Sequence, residues 1–484
     1  MKRFVSILLF LSMLALMACG SSENDKVIDT TASDITTEDT AAQSETGILA
    51  TFTPELQAEL GLDGYEFNVL LRDEAAGWSI YDLIAEEETG DILNDAVYAR
   101  NLFLEDTYGF RIKAGYSNNT ECSELITYIL SGDTTYDASF PMARLGASAA
   151  SQGLLYDLYD MEYINFDHSC WNSLFNDTLT IGNKLFYATG DITTNSYSAI
   201  QVFFFNKDIR ERLQLDDPYE LVRSGKWTID ALNKMAVQAA EDVNGDTVMD
   251  INDRFGMTMS AYIGGLYFYY GAGEQMITKD SDDLPVIRVG SERSVDIYDK
   301  IVKILADSNT YYFSEDYLEY QKQFNDGNAL FLPEVLDHAN TMRPQDVNFG
   351  VIPAPKFDEE QEQYYCFANG WCVSPVVVPK NSVNPDRTGF IIQALAEASQ
   401  QFIIEPYYDK VLTAKALRDD ESAEMLDLIV HNFILDNADI YRWNGIDEAV
   451  RDGMTNGDAL PTIVAANKSA VEKAIEKTVE GLLG

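Results

Sequence analysis

The chain has 484 residues, of which 46% are hydrophobic and 12% aromatic, and its formal net charge is −45 at pH 7. A chain of this length is too long to fold around one ordinary hydrophobic core, so we expect two large lobes or three smaller domains. The apolar content excludes a mostly disordered chain. The charge argues against nucleic acid as a partner, because phosphate binding requires clustered Lys and Arg.

The amino terminus has the pattern of a secretory signal that ends at a lipidated cysteine. Two cations precede an apolar run from Phe4 to Ala18, which is too short to span a membrane stably, and Cys19 follows directly. We therefore predict a signal peptide over 1–18 and a lipid anchor on Cys19, which would hold the protein outside the cytoplasm on the cell membrane. The alternative is an ordinary cleavage site with a chance cysteine.

A polar stretch follows the predicted anchor. From Ser21 to about Gly47 the chain consists of Ser, Thr, Asp, Glu and Ala with almost no large apolar side chain. Such a composition cannot bury a core, so we assign 19–59 to the lipidated cysteine and a disordered tether.

Strands alternate with helices in the first folded part of the chain. Three strands are predicted at 65–71, 110–116 and 136–140, and the two helices between them end at Gly109 and Gly132. This alternation is typical of a parallel sheet with crossover helices, so the fold class is α/β.

A second unit opens with the apolar strand "IQVFFFN" at 200–206 and the helix "WTIDALNKMAVQAAE". Strands are also predicted on both sides of a charged turn within 347–381. Five more helices are predicted, near 291–306, 314–325, 388–401, 422–435 and 465–480.

The acidic loop "EDVNGDTVMDIND", 241–253, follows the predicted helix "WTIDALNKMAVQAAE" and precedes a predicted strand, "RFGMTM". Its spacing resembles a calcium loop, whose sixth position needs positive φ and is here Thr247 and not Gly. We predict a structural clip that holds a calcium ion, with a chance acidic turn as the alternative; the predicted ligands are Asp242, Asn244, Asp246, the Val248 carbonyl, Asp250 and Asp253. No other cofactor is predicted.

Motifs for catalysis are absent from the sequence. The three His, at 168, 338 and 431, lie outside the metalloprotease, nucleophile-elbow and phosphate-loop patterns, so we predict no catalytic residues and no enzyme activity. Besides Cys19 there are four Cys, none in a C-x-x-C pattern. Cys366 and Cys372 could close a short disulfide loop, or all four could be buried thiols.

Two tryptophans lie where clefts form. Trp371 lies between two predicted strands, and Trp443 follows a helix. An exposed indole offers an apolar face to the C–H groups of a sugar, while nearby polar side chains bind its hydroxyls. For each, a half-buried core position is the alternative.

Several segments together resemble one known family. They include "AEEETGDILNDAVYARNLFLEDTYGFRI", "IGNKLFYATGDI", "GKWTIDALNKMAVQAAEDVNGDTVMDINDRFGM" and "NGWCVSPVVVPKNSVNPDRTGFIIQALA". They are similar to the lipoprotein substrate-binding components of bacterial ABC importers, in the extracellular type 1 class that mostly takes up sugars. The resemblance covers most of the chain from about 80 to 435.

The resemblance implies a two-lobed, periplasmic-binding-protein-like fold of type II with a cleft between its lobes. The chain would visit each lobe twice, with 60–192 and 326–362 in lobe 1 and 193–325 and 363–484 in lobe 2. "ATGDI" and "FANGW" would lie at crossings between the lobes.

The implied function is capture of a sugar or oligosaccharide and its delivery to ABC permease subunits by a monomer. The alternatives are a surface adhesin that tethers glycans and a peptide-binding member of the same fold. The resemblance implies a cleft lined by Tyr262, Tyr267 and Trp443. Trp371, Trp443 and Tyr262 would stack on the ligand, and Asp191, Glu334 and Arg144 would bind its hydroxyls. Glu334 replaces an aromatic residue found in some relatives.

Overall fold

A computed structural model of the chain describes residues 47–74, 80, 82–404, 406–408 and 419–484. The predicted signal peptide, Cys19 and the tether up to residue 46 lie outside the described residues. Within the described part of the chain, no helix combines the length and the apolar character needed to cross a bilayer.

The first lobe is built on a parallel sheet with the strand order β2-β1-β3, as the alternation of strands and helices predicts. Its long helix α3 (Ile92–Tyr108) is capped at both ends. The carboxylate of Asp91, just before the helix, accepts hydrogen bonds from the amides of Leu93 and Asn94, and Gly109, just after it, has φ of 89°. The elements of this region are α1 (Ile48–Thr51), α2 (Pro54–Leu60), β1 (Glu66–Leu71), α3 (Ile92–Tyr108), β2 (Arg111–Tyr116), α4 (Glu124–Ser131), β3 (Ala138–Phe140), α5 (Ala143–Ser151) and α6 (Ser173–Leu179).

The region from 195 to 368 forms most of the second lobe. Its first strand carries three consecutive Phe and is buried along its whole length, as a central strand with both faces covered should be. Its elements are α7 (Asn195–Ser198), β4 (Ile200–Asn206), α8 (Lys207–Leu213), α9 (Pro218–Arg223), α10 (Ile229–Ala239), β5 (Phe255–Ser260), α11 (Leu266–Gly271), β6 (Ile277–Lys279), β7 (Pro285–Ile287), α12 (Glu292–Leu305), β8 (Tyr311–Ser314), α13 (Tyr317–Asn325), β9 (Ala329–Val335), α14 (His338–Met342), β10 (Phe349–Ile352) and β11 (Cys366–Ala368).

The remaining elements are α15 (Pro385–Ser399), α16 (Asp420–His431), β12 (Phe433–Ile434), α17 (Asn437–Tyr441), α18 (Ile446–Asn456) and α19 (Leu460–Leu483). The sheet of lobe 2 has the order β12-β11-β4-β9-β5-β8, and β10 also pairs with β4. The strands β6 and β7 form a separate hairpin. The two predicted α/β lobes are therefore present.

The division of the chain between the lobes differs from the prediction in two places. The range 326–362, predicted for lobe 1, contains β9 and β10, and both pair antiparallel with β4 in the sheet of lobe 2. The range 363–484, predicted for lobe 2, contains Val376 and Val377, which bridge to Ala188 and Ser139 of lobe 1. The physical reason is that the central strand β4 needs partners on both edges, so the chain returns to lobe 1 only after β11.

The four cysteines of the described region are buried and form no disulfide. They are Cys122, Cys170, Cys366 and Cys372, so the buried-thiol alternative is the one observed. Burial raises the pKa of Cys122 to about 11 and that of Cys366 to about 12, because a thiolate loses its hydration in the core.

Candidate ligand-binding cleft

The carboxyl ends of the strands define one edge in each lobe. In lobe 1 the strands β1, β2 and β3 are parallel, so they end at the same edge. In lobe 2 the parallel strands β5, β8 and β9 end together, and β11 ends beside them because it runs antiparallel to β4. Open α/β sheets bind ligands at such edges.

Direct hydrogen bonds join the two edges. The buried Arg72, at the end of β1, donates from Nη1 to the carbonyl of Trp371 at 2.9 Å and to Ser374 Oγ at 3.2 Å. Its Nε donates to the carbonyl of Thr120. Burial lowers the pKa of Arg72 to about 10. The end of β1 is thereby tied to the segment that follows β11.

An ion pair forms a second link, between α5 and α17. Arg144 donates from Nε to the carbonyl of Asp439 at 3.0 Å, and its Nη2 pairs with the Asp439 carboxylate. The same carboxylate accepts the amide of Gly370. The guanidinium of Arg144 is therefore bonded within the protein, at the junction of the lobes.

Trp371 and Tyr262 present their rings to solvent. Trp371 follows β11 and is 38% exposed, while Tyr262 follows β5 and is 60% exposed. Their backbones are fixed: the carbonyl of Trp371 accepts from Arg72, and that of Tyr262 accepts from Arg451 at 2.9 Å. These two predicted ligand contacts thus offer accessible aromatic faces on supported backbone.

Glu334 and Tyr267 lie below the surface of lobe 2. The carboxylate of Glu334 accepts from Tyr320 Oη at 2.6 Å, from Gln321 Nε2 at 2.9 Å and from the amide of Val335. Burial first, and then the charge of Glu334, raise the pKa of Tyr267 well above its usual value. The ring of Tyr267 is 1% exposed, and among the described residues its Oη finds no hydrogen-bond partner. Both the ring and the hydroxyl of Tyr267 are therefore inaccessible to a solute in this conformation.

Trp443 lies in the core and not on an open surface. Its indole is 3% exposed, stacks on Tyr441 with ring centroids 4.8 Å apart, and donates from Nε1 to Thr478 Oγ1 at 2.9 Å. Almost none of the ring is accessible to a solute in this conformation. The core alternative, and not the predicted stacking role, matches this placement.

Asp191 lines a separate pocket of about 260 Å³ beside the segment that crosses from lobe 1 to lobe 2. Its carboxylate accepts from Tyr197 Oη at 2.6 Å and from Gln400 Nε2 at 2.8 Å, and burial raises its pKa. None of the other six predicted ligand contacts lines this pocket, which also includes Trp171 and His431. The structure does not group Asp191 with Glu334 and Trp371.

Three residues at these edges were not predicted. Arg72 directly follows β1, Tyr116 is the last residue of β2 and is 43% exposed, and Tyr317 follows β8 and is 60% exposed. Tyr116 could have been predicted from the sequence, since it ends a predicted strand. Tyr317 could not, because residues 314–316 before it were assigned to a helix.

The acidic loop connects α10 to β5, as predicted, and a bridge between Glu241 and Arg254 closes it. Its carboxylates bond to backbone amides: Asp242 accepts from Gly245 and Thr247, and Asp253 from Val243. The backbone amide of Asp250, and then those of Val243 and Asn244, hold the pKa of Asp253 below its usual value. Among the described residues, no three His, Cys, Asp or Glu side chains are placed to hold a metal ion. The calcium ion stays a prediction, and the clip holds itself through its own hydrogen bonds.

The predicted backbone strain in this loop is confirmed, since Thr247 has φ of 73°. Thr247→Gly is expected to raise the free energy of unfolding by about 1 kcal/mol, because a β-branched residue is disfavoured in the left-handed region. Urea unfolding with a chelator present would measure it. Gly245 has φ of 76° and open space where a Cβ would lie, so Gly245→Ala should lower stability through its backbone conformation alone. Equal changes in the two variants would contradict the strain argument.

Solved structures with this fold bind sugars in their reported complexes. The GacH receptor of Streptomyces glaucescens, studied unliganded and with acarbose, aligns with a TM-score of 0.53 at 14% identity over 86% of this chain and 97% of its own. A cyclo/maltodextrin-binding protein complexed with maltotetraose aligns with a TM-score of 0.56 at 15% identity over 87% and 97%. An ABC substrate-binding protein from Listeria monocytogenes, in complex with cycloalternan, gives 0.54 at 15% over 86% and 99%. At these identities the likeness establishes the two-lobed fold.

A comparison with curated proteins gives no match. Residues 99–403, more than half of the chain, match the sequence profile described as bacterial extracellular solute-binding protein. The match includes β2 to β11 and α15, and so both edges of the cleft. The resemblance noted in the sequence is thereby confirmed, and the chain belongs to the bacterial extracellular solute-binding protein family.

Proposed function

We propose that this protein captures a sugar or oligosaccharide in the cleft between its lobes and delivers it to an ABC permease. The observation that carries the proposal is Trp371, which is 38% exposed while its backbone carbonyl accepts a hydrogen bond from Arg72, the residue after β1. An aromatic side chain on a fixed backbone stacks on a sugar at a low cost in conformational entropy. Family membership and the sugar complexes of proteins with the same fold support it.

The remaining contacts follow from chemistry at the two edges. Tyr262, which is 60% exposed, would supply a second aromatic face. Glu334 would accept a hydroxyl beside its bonds from Tyr320 and Gln321. Ligand contacts to both lobes would favour the closed form, which would dock on the permease without covalent chemistry.

Anchoring through Cys19 completes the proposal. A lipid on this cysteine would hold the protein on the outer face of the cell membrane, and the polar stretch after it would let the folded lobes reach the permease. A lipidated protein captures its ligand where the transporter is, without being lost to the medium.

The arginines at the junction of the lobes favour a sugar ligand over a peptide ligand. Recognition of peptide termini needs a charged clamp. Arg72 is bonded to backbone carbonyls and Ser374, and Arg144 is bonded to Asp439. These groups are already committed within the protein, which favours an uncharged, hydroxyl-rich ligand over a peptide.

Trp371→Ala is expected to weaken binding of the cognate oligosaccharide about ten- to hundredfold, through loss of one stacking face. The ligand would first be found by a thermal-shift screen over oligosaccharides and peptides, and affinities then measured by calorimetry. Trp371→Phe, which keeps an aromatic face, should lose less. Unchanged affinity in Trp371→Ala, or a screen in which only peptides raise the midpoint, would refute the proposal.

A further inference from the structure

The guanidinium groups of the arginines at the junction of the lobes are bonded within the protein and little exposed. Arg72 and Arg144 are bonded as described above, and Arg451 is bonded both to the carbonyl of Tyr262 and to Asp452. The side chains of Arg144 and Arg451 are only 18% and 17% exposed. An anionic ligand would have to displace protein bonds to reach a guanidinium.

Acidic side chains, by contrast, stand at both edges. Glu74 lies two residues beyond Arg72 at the end of β1 and is exposed. Glu315 and Asp316 directly follow β8 and are exposed, and the buried Glu334 lies near the end of β9. The chain as a whole, these residues included, has a formal net charge of −45. A cleft with one sign of charge on its walls concentrates that potential.

This arrangement acts against negatively charged ligands at two levels. At long range the field slows the approach of anions. At contact, a ligand carboxylate near Glu334 would meet a like charge in partly buried surroundings, where the repulsion is stronger than in water. Recognition of a carboxylate or sulfate normally depends on an accessible arginine fork, whereas Arg72 is buried and Arg144 is paired with Asp439.

We propose that the cleft selects uncharged oligosaccharides and rejects those that carry uronic acid, sulfate or phosphate groups. This inference rests on the proposed function and narrows its substrate class. Discrimination is electrostatic, so it weakens as salt shortens the range of the field to about 10 Å at 0.1 M.

The test compares one oligosaccharide with its acidic counterpart. Neutral oligosaccharides of glucose, mannose and galactose are screened by calorimetry, and the best ligand is oxidised at its primary hydroxyls to the uronate form. At low ionic strength the oxidised ligand is expected to bind at least about tenfold more weakly, and the gap is expected to narrow with added salt. Equal or tighter binding of the oxidised ligand would overturn the inference.

Charge variants separate repulsion from the simple loss of hydroxyl contacts. In the double variant Glu74→Lys with Glu315→Lys, the affinity for the oxidised ligand relative to that for the neutral ligand is expected to rise several-fold at low salt. Glu66→Lys is the matched control, because Glu66 is exposed at the amino end of β1, away from the cleft edge. If the double variant behaved like Glu66→Lys, the electrostatic explanation would fall.

The outcomes also distinguish this inference from the proposed function. Preferential binding of acidic oligosaccharides would overturn the selection for uncharged ligands and leave sugar capture standing. Binding of peptides and of no oligosaccharide of either kind would overturn the proposed function, and this inference with it.

Discussion

Trp443→Ala is expected to lower the free energy of unfolding by about 3–5 kcal/mol, the usual cost of removing a large buried aromatic side chain. The change would leave a cavity where an indole is now 3% exposed, remove the stack on Tyr441 and strand the hydroxyl of Thr478. Urea unfolding followed by circular dichroism would measure the shift, with the slope of the transition checked for constancy.

Trp371→Ala is the matched control, because it deletes the same side chain at a site that is 38% exposed. Its cost in stability is expected to stay below about 1 kcal/mol. Binding should show the opposite order, with Trp371→Ala losing affinity and folded Trp443→Ala keeping it. A Trp443→Ala variant as stable as the parent protein but unable to bind would show that this indole contacts the ligand after all.

The two tryptophans show where sequence patterns stop being informative. Both follow the end of a predicted element, so both were candidates for a cleft. Trp443 is buried because α19 supplies Thr478, 35 residues later, as partner for its indole nitrogen. Such a long-range contact leaves no trace in local periodicity, whereas the positive φ of Thr247 followed from the local spacing of the acidic loop.

The same distinction between local patterns and long-range contacts explains which parts of the fold could be predicted. The parallel order of β1, β2 and β3 was predictable because each strand is followed by its own crossover helix. The placement of β9 and β10 was not, because they pair with β4 across long stretches of chain, as Phe331 does with Phe205. Residue composition marked β4 as a buried strand, but the choice of its neighbours depends on tertiary packing.

The cleft is predictable to a similar extent. Trp371 was a candidate because it lies between two predicted strands, and Tyr262 because the family resemblance implied it. The bonds from Arg72 to Trp371 and from Arg144 to Asp439 could not be found, since they join residues about 300 positions apart in the chain. The ring positions came from local patterns, and the charge balance of the cleft came only from the structure.

A buried carboxyl near the junction of the lobes makes stability depend on pH. Asp436 is 2% exposed at the start of α17 and accepts the amides of Ala438 at 2.9 Å and of Met276 and Ile277. Burial raises its pKa to about 7; the backbone donors oppose this shift, and the charge of Asp439 adds to it. Burial likewise raises the pKa of Asp447 to about 6.

The direction of the pH effect follows from proton binding. In the unfolded chain an aspartate titrates near pH 4, so between about pH 4 and pH 7 the native state holds a proton that the unfolded state has released. Stability therefore falls as the pH rises through this window and levels off above about 7. Asp436 alone contributes on the order of 4 kcal/mol to this fall, and Asp447 acts in the same direction.

Asp436→Asn is accordingly expected to flatten the dependence of unfolding free energy on pH between about 5 and 7.5, because the amide does not titrate. Its oxygen keeps an acceptor for the amides of Ala438 and Ile277, while the bond from Met276 is lost. Urea unfolding at a series of pH values would give the slope for each protein. Asp427→Asn removes an equal charge from a side chain that is 74% exposed, and it should keep the slope of the parent protein. A parent protein that gains stability from pH 5 to pH 7.5, or an Asp436→Asn variant with the parental slope, would contradict a neutral Asp436 in the native state.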